Sequence, residues 1–539
     1  MKAEVLKTLL VTGLLAEGMV REAIKKSRAD CEVYVMPLPV ASLLSPSSIA
    51  RMLEKENLAK IDLILIPGLI KGEASIIEEA TGIKTRKGPK NAADLPAVLD
   101  AITKVELSPL VPADDLVEGA RIEEVEKTLN MIEKESLRLR RHRGAVAIGS
   151  GAGRVFVGPG FRMRVLAEIV DASTLPDLEI QKIARLFEAS GADIIDVGMV
   201  AGGGHPEDSA RAVEAVKKCS RRPVSIDTGD PSEIEAAVES GVDLILSLNL
   251  ENMEEVAEFA AATPVVVTSA GRNHRVPEDA EERVAQLRRN IKRARSVGFS
   301  KIIADPILSP LMTPSLTASL LAYLEFRRED SETPMLFGAG NVTELMDADS
   351  TGANLLLAGI AAEVGADILL TTEASVKTRG SVAEMVEASR MITLAEARRT
   401  APEDVGVDLL IMKEKRWREE PPRSLNGIRK VSARSIQVSP RDPRGSFKIL
   451  IDRERGELIL LHHSQGVPRP DLMIRDDEPD RLVGAAIRRG LISRLEHAYY
   501  LGRELEKAKI ALETGKSYLQ DSDLVFGVGL SRRRLHRKS

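Results

Sequence analysis

The sequence predicts an α/β protein whose centre is a (β/α)8 barrel, flanked by an N-terminal α/β domain and a C-terminal α+β module. Three observations predict it. Between Arg164 and about Thr400, eight apolar runs of strand length alternate with amphipathic helical stretches over roughly 235 residues, the size and rhythm of such a barrel. Ahead of this region the same alternation occurs on a smaller scale. Behind it, from about Pro402, the pattern breaks into a hairpin and a long helical region. A chain of 539 residues has room for two to four domains, and the boundaries fall at 1–145, 146–400 and 401–539. A doubly wound open sheet is the runner-up for the centre, and the count of eight weighs against it.

In the first domain, strands at Leu9–Val11, Glu32–Met36 and Asp62–Ile66 alternate with helices near Met19–Ser27 and Pro46–Glu56, which reads as a parallel, Rossmann-like sheet. No GxGxxG follows the first strand, so the dinucleotide fingerprint is missing. The basic run KTRKGPK, Lys84 to Lys90, reads as a solvated loop ahead of a helix near Asn91. A charged helix from about Arg121 to Arg143 closes the domain. The glycine-rich junction GSGAGRVFVGPG, Gly149 to Gly160, lacks the strand–glycine–helix order of a phosphate loop. It reads as a linker with a short hairpin covering the bottom of the next domain.

The barrel strands are placed at Val165–Val170, Ile194–Val197, Val224–Ile226, Leu244–Leu246, Val265–Val267, Ile302–Ile303, Met335–Phe337 and Ile368–Leu370, with a last helix from about Val382 to Arg398. The final part opens with IMKEKRWREEPPR, continues in a hairpin of Phe447–Ile451 and Glu457–Leu461, and then runs helical from Asp480 to about Ser517. Its basic end, SRRRLHRKS, reads as a solvated tail.

Composition narrows the function classes. With 43% hydrophobic and 29% charged residues, the chain is that of an ordinary soluble protein, and a formal charge of −5 argues against nucleic acid as a partner. Only 3% of residues are aromatic, so the core is built from small aliphatics, as suits helices on a parallel sheet. The longest apolar region, Asn354 to Leu370, contains Glu363 and Asp367 and is not a membrane span. Two cysteines, Cys31 and Cys219, make neither a disulfide framework nor a zinc site and fit a reducing cytoplasm.

The stretch RPVSIDTGDPSEIEAAVESGVDLILSLN, Arg222 to Asn249, organises the barrel. A short strand runs into Asp227 and Thr228. Asp230 then caps a helix that starts at Pro231, with Glu233 as its capping-box acid. Polar residues just past the strands of a barrel share one mouth. Reading them off gives Glu168 and Asp171 after strand one, Asp196 and the loop AGGGHPED in strand two and beyond, and Asp227 and Asp230 after strand three. Ser247 and Asn249 follow strand four. Arg272, His274 and Arg275 follow strand five, Asp305 ends strand six, Asn341 follows strand seven, and Thr371, Thr372 and Glu373 close the set. Converging carboxylates suit an amidine-like heterocycle, because a carboxylate accepts two N–H bonds from an N–C–NH2 edge. Gly202, Gly203 and Gly204, with Arg272 and Arg275, are the candidate contacts for an anion. No cluster has metal-ligand spacing, so no metal is expected. Ser-His-Asp geometry cannot be assembled either. For Asp230, a purely structural cap is at least as good a reading as a ligand contact.

The runs GADIIDVG (Gly191–Gly198), RPVSIDTGDPSEIEAAVESG (Arg222–Gly241) and ADP (Ala304–Pro306) resemble the pterin-binding TIM barrels, the group of dihydropteroate synthase and the corrinoid-dependent pterin methyltransferases. With its flanking domains, the whole chain resembles the archaeal dihydropteroate synthase-related proteins. The resemblance implies a reduced pterin as substrate or cofactor, held by Asp196, Asp227, Asp230, Asn249, Asp305 and Asn341, with Asn341 and Asp227 as the catalytic candidates. It implies a cytoplasmic homodimer in folate or tetrahydromethanopterin metabolism and, for the methyltransferase branch, a corrinoid carried on a partner protein. The sequence departs from the synthase where that enzyme does its chemistry. The strand-one motif is replaced by AEIVDAST, and the phosphate loop by VAGGGHPED. The strand-seven lysine is replaced by Asn341 in GAGN, and the final Arg-x-His is missing, with Lys377 and Arg379 further along the loop as partial substitutes. Three expectations follow: a pterin enzyme without classical synthase activity, a pterin-dependent methyltransferase, or a non-catalytic pterin-binding or assembly protein.

Overall fold

The computed structural model describes residues 6–27, 29–139, 144–414, 429, 441–524 and 526. By its internal contacts the chain divides into two units, Met1–Arg423 and Ser424–Ser539.

The first unit opens with four parallel strands in the order Cys31–Met36, Thr8–Gly13, Leu63–Ile66, Thr85–Lys87. Alternate residues of the central strand serve two cores: Leu9 and Val11 pack on one face, and Leu10 packs on the other. Helices therefore cover both faces, as a parallel sheet requires. The run Lys84 to Lys90 is not a solvated loop. Thr85–Lys87 is the edge strand, and the buried Lys87 donates to the Ile70 carbonyl at 2.9 Å. The long helix starts earlier than the sequence suggested, at Ala113, and is described to Leu139. Its Val125 packs beside Met391 and Leu394 of the last barrel helix, and its Glu133 pairs with Arg164 in the first barrel strand.

Eight parallel strands follow: Arg164–Ile169, Ile194–Gly198, Val224–Asp227, Leu244–Leu248, Val265–Thr268, Ile302–Asp305, Leu336–Gly338 and Ile368–Thr372. Each pairs with its sequence neighbour from the first to the sixth, the eighth pairs with the first and the seventh with the eighth. A parallel bridge between Ala304 and Met335 joins the sixth to the seventh and closes the barrel. Leu166, Ile194, Leu244, Leu246, Val266, Ile303, Leu336, Ile368 and Leu370 fill the interior. Val146, Ile148 and Val157 join that cluster from an antiparallel hairpin of Val146–Ile148 and Val155–Val157. The glycine-rich junction thus plugs the floor of the barrel, which leaves the opposite end, where the strands finish, open for a site.

The second unit is an antiparallel sheet of Ser446–Asp452, Glu457–His463 and Leu472–Asp476, with helices Pro479–Arg488 and Leu495–Glu513. Phe447, Ile449, Leu458 and Leu460 face these helices and form the core with Leu482, Leu501 and Leu505. The third strand was not foreseen. The long helical region of the sequence reading is two helices, broken at Gly490, which adopts a φ of +68° and so ends the first helix without strain. Residues 416–423 and the basic tail lie outside the described residues.

Candidate functional site

Strand alternation decides which side chains reach the mouth. On the first strand Leu166 fills the interior, so Glu168, two residues on, points the same way one layer higher. Glu168 lies opposite Asp196, and Gly198 lies opposite Asp227. Thr268 and Asp305 are paired across strands five and six. The carboxylates of Glu168, Asp196 and Asp227 come within 4.8 Å of one another. The linear sequence gave no metal-ligand spacing because these three residues come from three separate strands.

Asp196 is fully buried; its Oδ1 accepts from the Ser225 hydroxyl at 2.5 Å, and its Oδ2 has no partner among the described residues. Asp227 accepts from the Ser247 hydroxyl. Burial raises the Asp227 carboxyl above its ordinary range, with the Ser247 bond opposing that shift. Burial, then the charges of Asp227 and Glu168, hold Asp196 well above it. Glu168 is pushed up to about 7, first by burial and then by Asp227, Asp171 and Glu344. Acids crowded together without a cation favour their neutral forms.

Asp305 is held differently. Its Oδ1 accepts from the Ile307 backbone at 2.7 Å and from the Tyr323 hydroxyl at 3.1 Å, and that hydroxyl is also 2.8 Å from the Leu336 carbonyl. One hydroxyl proton serves only one acceptor at a time. A protonated Asp305 completes the chain by donating to the tyrosine oxygen, which then donates to Leu336. Burial pushes the Asp305 carboxyl up to about 6, against the opposing effect of these two hydrogen bonds. A carboxyl raised in the folded state costs stability once the unfolded chain ionises. Below its ordinary 3.8 there is no cost; the cost grows between 3.8 and about 6 and is constant above. Asp305→Asn is therefore expected to melt higher than wild type at pH 8 by the equivalent of about 1–3 kcal/mol, allowing for the part of the side chain that solvent reaches. The gain should vanish near pH 4, which thermal melts across that range would check.

Several predicted contacts are used within the protein instead. Asp230 is a cap rather than a ring contact: Oδ1 accepts from the Ser232 and Glu233 backbones, and Oδ2 from the Gly204 N–H at 2.9 Å. A side chain on Gly203 would overlap that carboxylate. The Gly204 N–H therefore meets the protein's own Asp230, which corrects the expectation of an external anion at Gly204. Glu233 does not close a capping box; it accepts from Thr228 and from the His205 N–H. Asn249 is buried, and its Oδ1 takes the Glu251 N–H at 2.8 Å, so it shapes the turn after strand four. Arg272 and Arg275 stand exposed on the loop after strand five, and Lys377 pairs with Asp347. Asn341 sits over Gly338, its Nδ2 donating to the Leu308 carbonyl at 3.0 Å, which ties strand seven to the loop after strand six. Its Oδ1 accepts no hydrogen bond among the described residues.

Two supporting residues escaped sequence reasoning, Tyr323 and Arg283. Both lie on outer helices of the barrel, Ala280–Ser296 and Leu316–Glu329, and no local motif signals that they reach the loop of Asp305.

Residues 174–372 match the family described as pterin binding enzyme, and residues 441–521 match the one described as PterinBD-DUF4346. An uncharacterized protein of Methanocaldococcus jannaschii is 38% identical over 534 residues, covering 97% of this chain and 99% of that one. The chain belongs to one family with that archaeal protein, and its barrel is of the pterin-binding type. A Ycf91-like protein of a Nostoc species is 29% identical over 121 residues, 17% of this chain and 90% of that protein. Among solved structures, a Yersinia pestis dihydropteroate synthase with a pterine-sulfa conjugate is 20% identical, with a TM-score of 0.37, covering 44% of this chain and 95% of that one. A Coxiella burnetii dihydropteroate synthase with pteroic acid is 20% identical, with a TM-score of 0.37, covering 44% and 94%. No described helix is long and apolar enough to cross a membrane.

Proposed function

We propose that this member of the pterin-binding family holds a reduced pterin in the barrel mouth and serves reduced-pterin metabolism without the condensation that a dihydropteroate synthase performs. The observation that carries the reading is the pair Asp227 and Asp305, two carboxyls at the ends of strands three and six with lone pairs left over. Ionised, each accepts N–H bonds from the N–C–NH2 edge of a pterin; neutral, each can donate to a ring oxygen or nitrogen. Asn341 adds an unused carbonyl oxygen at the rim, its N–H2 already committed to Leu308.

Expelling pyrophosphate requires cations where negative charge collects. Asn341 stands at the strand-seven position, Lys377 is paired with Asp347, and the Gly204 N–H is turned to Asp230. We therefore expect no dihydropteroate above the uncatalysed background when the protein is supplied with pterin pyrophosphate and p-aminobenzoate. Product formation, or growth of a synthase-deficient strain carrying this chain, would contradict the reading. One-carbon transfer is the reaction class that Asn341 suits better, because its free Oδ1 can accept from a ring N–H whose proton is gained or lost. The acceptor would then be supplied by a partner, a corrinoid protein in the methyltransferases that the sequence resembles.

A further inference from the structure

We propose that the strand Cys31–Met36 of the first domain is the edge to which a second copy of this chain adds, its own Cys31–Met36 pairing antiparallel about a two-fold axis at Val33. This strand is an outer edge of the four-stranded sheet. The Thr8 N–H bonds to the Asp30 carbonyl and the Leu14 N–H to the Leu38 carbonyl. Bonds to one neighbour recur at every second residue of a parallel strand, so the even-numbered residues face Thr8–Gly13. The N–H and C=O groups of Cys31, Val33 and Val35 therefore point outward, and none has a hydrogen-bond partner among the described residues.

Proteins ordinarily blunt an open strand edge, because it templates further pairing. The other edges of this sheet and of the three-stranded sheet are blunted. On Thr85–Lys87, the Glu78 carboxylate takes the Thr85 N–H at 3.2 Å and the Ser108 carbonyl takes the Lys87 N–H at 3.0 Å. On Ser446–Asp452, the Gln520 amide accepts from the Ile449 N–H at 3.1 Å and donates to the Phe447 carbonyl at 2.9 Å. Leu472–Asp476 carries Arg475 and Asp476 among its five residues. Cys31–Met36 has six residues with no proline, glycine or lysine, and its centre of Val33, Tyr34 and Val35 favours strand pairing. The strand also fits its own copy. An antiparallel pair centred on Val33 sets Val33 against Val33 of the second copy and Cys31 against Val35, so every outward group is met. Glu32, the strand's one charged residue, then lies opposite Tyr34 rather than its like. Leu38, Val40 and Leu43, which follow the strand, stand exposed and add apolar area that a six-residue edge lacks.

The pairing rests on the first domain alone, so its failure would leave the pterin reading standing. The test is sedimentation velocity of the full chain over a wide concentration range, with amide hydrogen exchange measured under the same conditions. The expected result is a dimer in which the Cys31, Val33 and Val35 amides are protected, and dilution to the monomer frees them. Val33→Pro removes the central outward donor without touching the bonds to Thr8–Gly13, since an edge strand accepts proline where its N–H faces outward. It should weaken dimerisation by at least about tenfold. If circular dichroism shows this variant unfolded, the exchange pattern of the wild type carries the test. A chain that stays monomeric overturns the proposal and leaves the edge to an extended segment of another protein. A dimer whose Cys31, Val33 and Val35 amides exchange as freely as the monomer's also overturns it, since the copies then meet elsewhere. So does a folded Val33→Pro variant that dimerises as tightly as wild type.

Discussion

Replacing Arg283 by alanine is expected to destabilise the protein by about 3–5 kcal/mol and to loosen the loop that carries Asp305. Arg283 is 1% exposed. Its Nε donates to the Pro277 carbonyl at 2.7 Å, and its Nη1 to the Ile307 carbonyl at 2.9 Å, while Ser309 Oγ lies 3.3 Å from both terminal nitrogens. Truncation leaves the half-buried Pro277 and Ile307 carbonyls and the buried Ser309 hydroxyl without this donor, at about 1–3 kcal/mol for each that solvent cannot reach, and opens a cavity. Arg283→Lys should rescue little, because an ammonium cannot present the planar fork that meets three acceptors at once. Urea denaturation measures the loss. Pterin affinity should fall with it, because Ile307 is both the residue clamped by Arg283 and the backbone donor to Asp305. A loss under about 1 kcal/mol would show that the clamp is decorative.

Asp227→Asn is the second large effect and acts on the ligand. Removing a charge that accepts paired N–H bonds should weaken a reduced pterin by about 1.5–3 kcal/mol, or roughly 10–150-fold. Asn keeps an oxygen for the Ser247 hydroxyl, so the strand end need not rearrange. Asp305→Asn should cost a similar amount of affinity while raising thermal stability at pH 8. Opposite signs in the two measurements are what a functional acid held in a poor electrostatic setting produces. If Asp305 were a structural residue, both quantities would fall together.

Much of this is legible in the sequence. Eight apolar runs spaced by amphipathic helices gave the barrel, and the strand-end acids Asp196, Asp227 and Asp305 meet in its mouth because parallel strands deliver their C-terminal ends to one face. The junction hairpin was readable from its glycines, and its role as a floor follows from Val146, Ile148 and Val157. What failed concerns side chains that satisfy one another across loops. Gly204 looked like part of an anion loop, but nothing local says that its N–H would be taken by Asp230, on the next strand's loop. The run Lys84 to Lys90 looked solvated because its charges hide a three-residue strand at a sheet edge. The third strand of the last sheet, Leu472–Asp476, is short and charged at its end, too weak a period-two signal to stand out. Tyr323 and Arg283 reach the loop of Asp305 from the helices that follow and precede that strand, 18 residues from Asp305 and 24 from Ile307, a spacing that no local motif marks.

The central claim is that a reduced pterin rests on Asp227 and Asp305. Calorimetric titration of wild type and of the Asp227→Asn/Asp305→Asn double variant with one reduced pterin, at pH 7.5, tests it most directly. The expected result is saturable binding, one pterin per chain, in the wild type and at least about 100-fold weaker binding in a double variant that melts as a folded protein. Equal affinity in the two proteins, or no binding to the wild type, would contradict it.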